Sequence, residues 1–247
     1  MTRIRLVIRA YQKLFRETAK VLPSMSLRKL FFRLGGVSIG KGCTIARNCK
    51  IGRSVIHQDV VIEKNVHIGR ACLIKSGTHI RENAVLYDSV EIGENVIIGR
   101  NSHIIRVKVG DRSTIEYGTV ITGYGHGGIV IGDDSYIGIN NVLDFSDDIT
   151  IGNFVHIAGP STALWTHTSV EMSLQGIPLH QKDDRRFRNT APIVVQDNVY
   201  IGCNCTIYPG VTISLHSVVA PNSAVSENVE QHTMVGGVPA KVIKSLR

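Results

Sequence analysis

The sequence predicts an all-β chain, a parallel β-helix of six-residue repeats, and three observations predict it. The first is spacing: Ile62, Ile68, Ile74, Ile80, Leu86, Ile92, Ile98 and Ile104 recur at every sixth position. That period fits neither an amphipathic helix nor an alternating strand, and a fixed short period marks a repeat architecture. The second is the residue four places after each anchor, which is small or β-branched, as at Val66, Cys72, Thr78, Ala84, Val90, Val96 and Ser102. The third is the Gly that follows many anchors directly, as at Gly69, Gly93, Gly99, Gly138 and Gly202. One large and one small inward side chain per short strand, with Gly, Asn and Asp at the corners, give a flat-sided coil. Stacked coils pair their backbone groups with the coils above and below, and the inward aliphatics form a continuous core.

Residues 1–35 come first and are set apart by charge. Arg3, Arg5, Arg9, Lys13, Arg16, Lys20, Arg28, Lys29 and Arg33 stand against Glu17 alone. Nine basic groups less one acidic group give +8, the formal charge of the whole 247-residue chain, so the remainder is near neutral. Arg5, Arg9, Lys13, Arg16 and Lys20 follow helical spacing, and Ile4, Val7, Tyr11, Leu14 and Leu22 can form another face. Two readings stand side by side: an interfacial helix held near anionic lipid, or a helix capping the open end of the first coil. No nucleic-acid recognition motif accompanies the charge, so no nucleic-acid partner is expected.

Residues 36–247 read as one β-helix domain with an inserted loop over 164–192 and a C-terminal tail. Ile39, Ile45 and Ile51 start the series; Val109, Ile115 and Ile121 resume it one residue out of step. Ile131, Ile137, Leu143, Ile151 and Ile157 continue it, and Val195, Ile201, Ile207, Ile213, Val219 and Val225 close it. Later small inward positions are expected at Ser135, Val155, Ser161, Val199 and Cys205. The five cysteines, Cys43, Cys49, Cys72, Cys203 and Cys205, lack metal-ligand spacing. All but Cys203 hold the small inward position, which marks them as reduced core residues and favours the cytoplasm. No apolar run approaches the ~18 residues of a membrane span, and no apolar block of a secretory signal is present.

Function is expected where the repeat breaks, because insertions leave the coil as loops. Gly123-Tyr124-Gly125-His126-Gly127-Gly128 lies in an interval four residues longer than the period. After Ile157 the next firm anchor is Val195, and the stretch between carries Trp165, His167, His180, Arg185, Arg186 and Arg188. It is long, polar and cationic, which suits a loop reaching over a site. His67, His79, His103 and His156 stand five after an anchor and read as surface residues.

The pattern resembles the hexapeptide-repeat acyltransferases over roughly residues 37–243. The similarity is to sugar O-acetyltransferases of the galactoside, maltose, colanic-acid and O-antigen type. Leu164-Trp165-Thr166-His167 resembles the family segment that ends in the catalytic histidine. Tyr136-Ile137-Gly138-Ile139-Asn140-Asn141 resembles the motif whose asparagine lines the acceptor pocket, with Asn140 its equivalent. Val195 to Gly210, followed by Val211-Thr212-Ile213, resembles the coil after the loop. Gly236-Gly237-Val238-Pro239-Ala240-Lys241-Val242-Ile243-Lys244 resembles the family ending. Two positions depart: the histidine follows its coil one residue sooner, and a Gly-Ala-Gly-type coil reads Ala220-Pro221-Asn222, where Pro221 has no N–H to donate.

The resemblance implies a left-handed β-helix with three strands per coil, against the usual crossover hand. It implies acetyl transfer from acetyl-CoA, a co-substrate, to a sugar or glycan hydroxyl, with no metal. A neutral imidazole of pKa about 6.5 can take the hydroxyl proton, a role that falls to His167. The oxyanion then needs a preorganised donor, by resemblance a backbone N–H near Gly202-Cys203, with Tyr200 beside it and Asn140 in support. Ala220, Lys241 and Lys244 fall at coenzyme positions and Trp165 at the acceptor; Arg185, Arg186 and Arg188 lie in a loop without a family counterpart and are expected, from their charge, to meet an anionic acceptor. The family also implies a homotrimer with active sites between subunits; separately, if the N-terminal segment meets membrane, a lipid-linked glycan becomes the natural acceptor. Other readings stay open: a non-catalytic scaffold subunit, an N-acetyltransferase on an amino sugar, and a γ-class carbonic anhydrase-like zinc enzyme. The last is disfavoured because no His-x4-His occurs.

Overall fold

The computed structural model describes residues 2–178 and 188–247, which divide into two compact units, Met1–Thr119 and Val120–Arg247. In the first unit, helices α1 (Thr2–Ala19) and α2 (Met25–Leu34) precede the strands. Strands such as Leu73–Ile74, His79–Ile80 and Val85–Leu86 are two residues long and fall successively into three parallel sheets. Ile74 pairs with Ile92 and Ile80 with Ile98, so a regular coil consumes eighteen residues, three steps of six.

Corners keep the strands short. Asn65, Asn83, Asn95 and Asn101 adopt φ between 54° and 62°, a left-handed conformation that the short polar side chain of Asn tolerates. Gly99 is needed for another reason: a Cβ there would strike the backbone of Tyr117 on the next coil. Every anchor of the long series is buried, and Ile56, five residues after Ile51 and therefore off the period, joins them at 1% exposure. The small inward hydroxyls are satisfied by the neighbouring coil, as where Thr78 Oγ1 donates to Gly93 O at 2.9 Å. That exchange lets Ser and Thr share a core position with Val and Cys.

Helix α2 covers the first coil. Phe32 is fully buried, and the buried Arg28 donates from Nε to Ile45 O at 3.1 Å and from Nη1 to Leu22 O at 2.7 Å. Lys29 Nζ donates to Cys43 O at 3.1 Å and Arg33 Nη2 to Ile39 O at 2.9 Å. Basic side chains thus occupy carbonyls at the opening of the repeat, and the capping role applies to α2.

The second unit repeats the three-sheet arrangement, and the coils wind left-handed as the resemblance implies. Strand Ala163–Leu164 pairs with Val142 and Leu143 on one side and with Thr206 and Ile207 on the other. Leu164 is fully buried and therefore belongs to the coil, not to the inserted loop. This anchor comes seven residues after Ile157, so the register slips by one. Ser161 is exposed at a corner with φ 68°, and Thr162 takes the buried position expected for Ser161. Beyond it, His167–Thr168 pairs antiparallel with Asn189–Thr190, and helix α3 (Val170–Leu174) lies within the excursion between them. His180, Arg185 and Arg186 lie outside the described residues. An antiparallel hairpin of Thr233–Gly236 with Lys241–Ser245 ends the unit.

Cys43, Cys49, Cys72 and Cys205 are buried and Cys203 is half-buried, all as free thiols. Burial pushes the Cys49 thiol up to about 11 and raises those of Cys72 and Cys205. The histidines at 67, 79, 103 and 156 point outward, and His79 Nε2 meets Glu63 at 2.8 Å. Among the described residues no helix is long and apolar enough to cross a membrane.

Candidate active site

The coil containing Leu143 and the coil containing Leu164 lie side by side. Asp144 follows the first anchor directly; Thr166 and His167 follow the second by two and three residues. The backbone thereby brings an acid, a hydroxyl and an imidazole to one corner of the second unit. His167 Nδ1 lies 2.6 Å from Asp144 Oδ2 and 3.2 Å from Ser146 Oγ.

The Asp144 carboxylate is enclosed by donors, with its side chain only 1% exposed. Oδ1 accepts from Ser146 Oγ at 2.7 Å and from Ser146 N at 3.2 Å. Oδ2 accepts from Thr166 N at 3.0 Å and faces Thr166 Oγ1 at 2.9 Å. Burial alone would raise this carboxyl's pKa, but the hydrogen bonds of His167 and Ser146, the charge of His167 and the Thr166 contact outweigh it and hold it below its ordinary value. Asp144 is therefore an anion and only accepts. Nδ1 of His167 must carry a proton toward it, which leaves the Nε2 lone pair as the available base. Nε2 has no hydrogen-bond partner among the described residues. The Trp165 ring stands edge-on to His167 with centroids 6.3 Å apart and is one-third exposed.

A cavity of about 430 Å³ opens beside this group, lined by Tyr124, His126, Ser146, Asp147, Arg188 and Thr190, among others. Ser146 contacts His167 directly, and Thr190 is its partner in the antiparallel ribbon. The Gly-rich insertion forms one wall. A Cβ on Gly125 would collide with the Ser146 backbone, so the loop lies pressed onto the turn that directly follows the acid. Arg188 sits over the Tyr124 ring, 5.2 Å from its centroid.

The remaining expected residues fall elsewhere on the second unit. Asn140 is exposed at a corner with φ 52°, while the neighbouring Asn141 is buried and bonds Ala158 O at 3.2 Å and Thr162 N at 2.9 Å. Tyr200 is exposed and lies against His156 with the rings tilted at 34° and centroids 5.3 Å apart. Gly202 corrects its expected role as oxyanion donor: its N–H is spent on Val219 O at 2.8 Å within the coil ladder. The N–H of Cys203 has no partner among the described residues. Ala220 N donates to Val235 O at 2.8 Å, and Lys241 and Lys244 are exposed on the terminal hairpin, Lys241 3.6 Å from Glu227. Among the described residues no group of three or more His, Cys, Asp or Glu side chains could hold a metal ion.

Sequence reasoning missed Asp144, Ser146 and Thr166. The signal available was a carboxylate directly after an anchor, one coil before the histidine segment.

Residues 71–106 match the family described as bacterial transferase hexapeptide (six repeats), and residues 192–227 match the hexapeptide repeat of succinyl-transferase. The chain is 30% identical over 118 residues to the putative lipopolysaccharide biosynthesis O-acetyl transferase WbbJ of Escherichia coli, covering 42% of this chain and 60% of that protein. It is 31% identical over 121 residues to the galactoside O-acetyltransferase of the same organism, covering 48% and 54%. Among solved structures, AntD, an N-acyltransferase from Bacillus cereus in complex with dTDP and 3-hydroxybutyryl-CoA, aligns with a TM-score of 0.55 at 22% identity. That alignment covers 67% of this chain and 84% of AntD and shows the shared fold. The chain thus spans between half and two thirds of the length of these two O-acetyltransferases. It is a hexapeptide-repeat β-helix chain, and its resemblance to the hexapeptide-repeat sugar acetyltransferases stands in the repeat.

Proposed function

We propose that the protein is an acetyl-CoA-dependent O-acetyltransferase acting on a sugar hydroxyl, with His167 as general base and Asp144 as its positioning residue. The observation that carries this reading is the contact of His167 Nδ1 with the buried Asp144 carboxylate, which leaves Nε2 as the acceptor. The two named O-acetyltransferase relatives support oxygen as the nucleophile, and the lipopolysaccharide one supports surface polysaccharide as the setting, although N-acetyltransferases are also among the relatives.

In the step proposed, the acceptor O–H gives its proton to His167 Nε2 as its oxygen bonds to the thioester carbonyl carbon. The tetrahedral oxyanion is held by the Cys203 N–H. Collapse breaks the C–S bond, and the coenzyme thiolate takes the proton back from Nε2, so the enzyme ends unchanged. General base help of this kind contributes about 10²–10⁴ in rate. Acetyl-CoA supplies the activated acyl group. Lys241 and Lys244 face its phosphates with Ala220 and Tyr200 nearby, and the exposed cationic hairpin suits that polyanion. The acceptor occupies the cavity lined by Tyr124, His126 and Arg188, with Trp165 and Asn140 assigned to it by resemblance and Arg185 and Arg186 by the positive charge of their loop. Homotrimeric assembly completes this proposal and likewise rests on the resemblance.

Calorimetric titration with acetyl-CoA tests the coenzyme half: saturable binding of about one coenzyme per chain is expected, weakened in Lys241→Ala. Mass spectrometry of mixtures with sugar and amino-sugar acceptors tests the second half. An acetyl ester that hydroxylamine removes, absent with His167→Ala, is expected. An alkali-stable amide would overturn O-transfer, and no coenzyme binding would overturn the transferase reading.

A further inference from the structure

The N-terminal helices do more than cap a coil. Val7, Ile8, Tyr11 and Leu14 of α1 and Leu27, Leu30 and Leu34 of α2 are each between 44% and 60% exposed. Their spacing puts each set on one helix face. The two faces meet at the Phe15–Phe31 contact, an edge-on pair with centroids 5.6 Å apart, so the helices present adjoining apolar stripes. The body is held by other residues: Ala19, Arg28 and Phe32 are buried. The stripes are thus surplus to capping. On α1, Arg5, Arg9 and Lys13 are exposed on the arc opposite the apolar one. An apolar stripe with a cationic polar face is the pattern of a helix lying in a lipid headgroup region.

We infer that α1 and α2 together form a docking surface for an anionic phospholipid bilayer. Charge selects this occupant. Residues 1–35 carry a net +8 and the rest of the chain is near neutral. A second copy docked through the same face would bring equal positive charge against it, whereas an anionic surface neutralises it. A neutral apolar partner would leave the basic arc without a role.

The test uses the full chain in flotation with vesicles of phosphatidylcholine alone and of equimolar phosphatidylcholine and phosphatidylglycerol. The wild type is expected to float with the anionic vesicles, to be released by salt, and to stay behind with the neutral ones. Leu14→Glu/Leu30→Glu and Arg5→Gln/Arg9→Gln/Lys13→Gln are each expected to lower partitioning by about tenfold or more. All these side chains are exposed, and an unchanged melting curve verifies the fold. A wild type that fails to float with anionic vesicles overturns the inference. So does flotation untouched by Leu14→Glu/Leu30→Glu, since charge alone would then explain it. Light scattering supplies the last arm: if that substitution only shrinks the particle in lipid-free solution, the face belongs to a second copy and the inference fails.

Discussion

His167 Nδ1 stands 2.6 Å from Oδ2 of Asp144, a carboxylate only 1% exposed and bonded by Ser146 and Thr166 as well. The acid is held in place by donors other than the imidazole, so it fixes the ring instead of following it. Asp144→Asn keeps the shape but offers an amide that can donate to Nδ1, which reverses the tautomer and removes the base at Nε2. Steady-state kinetics should show kcat reduced by about 10²–10⁴, with the coenzyme Kd unchanged. The double variant with His167→Ala should be little worse than His167→Ala alone, because the two act as a unit.

The same carboxylate ties stability to pH. Its folded pKa is depressed, by the balance of burial against the bonds of His167, Ser146 and Thr166. A depressed acid contributes stability that is fully present above its unfolded value of about 3.9 and is lost as pH falls through the lower folded value. Urea midpoints of wild type and Asp144→Asn should therefore differ most at neutral pH and converge below about pH 4. A gap that stays constant through that range would remove Asp144 from the titration.

Cysteine reactivity should separate the five thiols. Thiolate is the reactive form, and burial raises Cys49 to about 11 and lifts Cys72 and Cys205. Cys203, half-buried, is the accessible one. With an aromatic disulfide reagent at neutral pH, one fast thiol per native chain is expected, lost in Cys203→Ser, and all five in denaturant.

Much of this architecture is legible because a period of six is a geometric statement. Residues such as Ile74, Ile92 and Ile98 have to share an interior, and each is at most 1% exposed. The register slip was not legible, since Leu164 comes seven residues after Ile157 and only its partners Leu143 and Ile207 reveal it as an anchor. That slip also hid the site. Once Leu164 is aligned with Leu143, Asp144 falls level with the segment leading to His167. Without that alignment, Asp144 reads as a turn residue among Phe145, Ser146 and Asp147. His167 itself was legible because it breaks from the repeat beside a long insertion.

The same slip gives a stability prediction. Thr162 Oγ1 donates to Gly202 O at 2.8 Å and accepts from Cys205 N at 3.2 Å, wholly buried. Thr162→Val matches the shape but strands both groups, at a cost of about 1–3 kcal/mol. Ser161→Gly, at the exposed corner and permitted its φ of 68°, tests the register by contrast. Chemical denaturation should rank Thr162→Val well below Ser161→Gly, and equal midpoints would contradict the register described.

Asn140 and Asn141 divide structure from acceptor binding. Asn141 is buried with bonds to Ala158 O and Thr162 N, so Asn141→Ala should cost about 1–3 kcal/mol in stability. Asn140 is exposed with φ 52°, and an alanine there would confound any functional test with backbone strain of about 1–2 kcal/mol. Asn140→Gly removes the side chain while permitting that conformation. If Asn140 touches the acceptor, this variant keeps the melting temperature and the coenzyme Kd while kcat/KM for the sugar falls by about tenfold or more. An unchanged kcat/KM would reduce Asn140 to a corner residue like Asn65 or Asn83, which share its left-handed backbone.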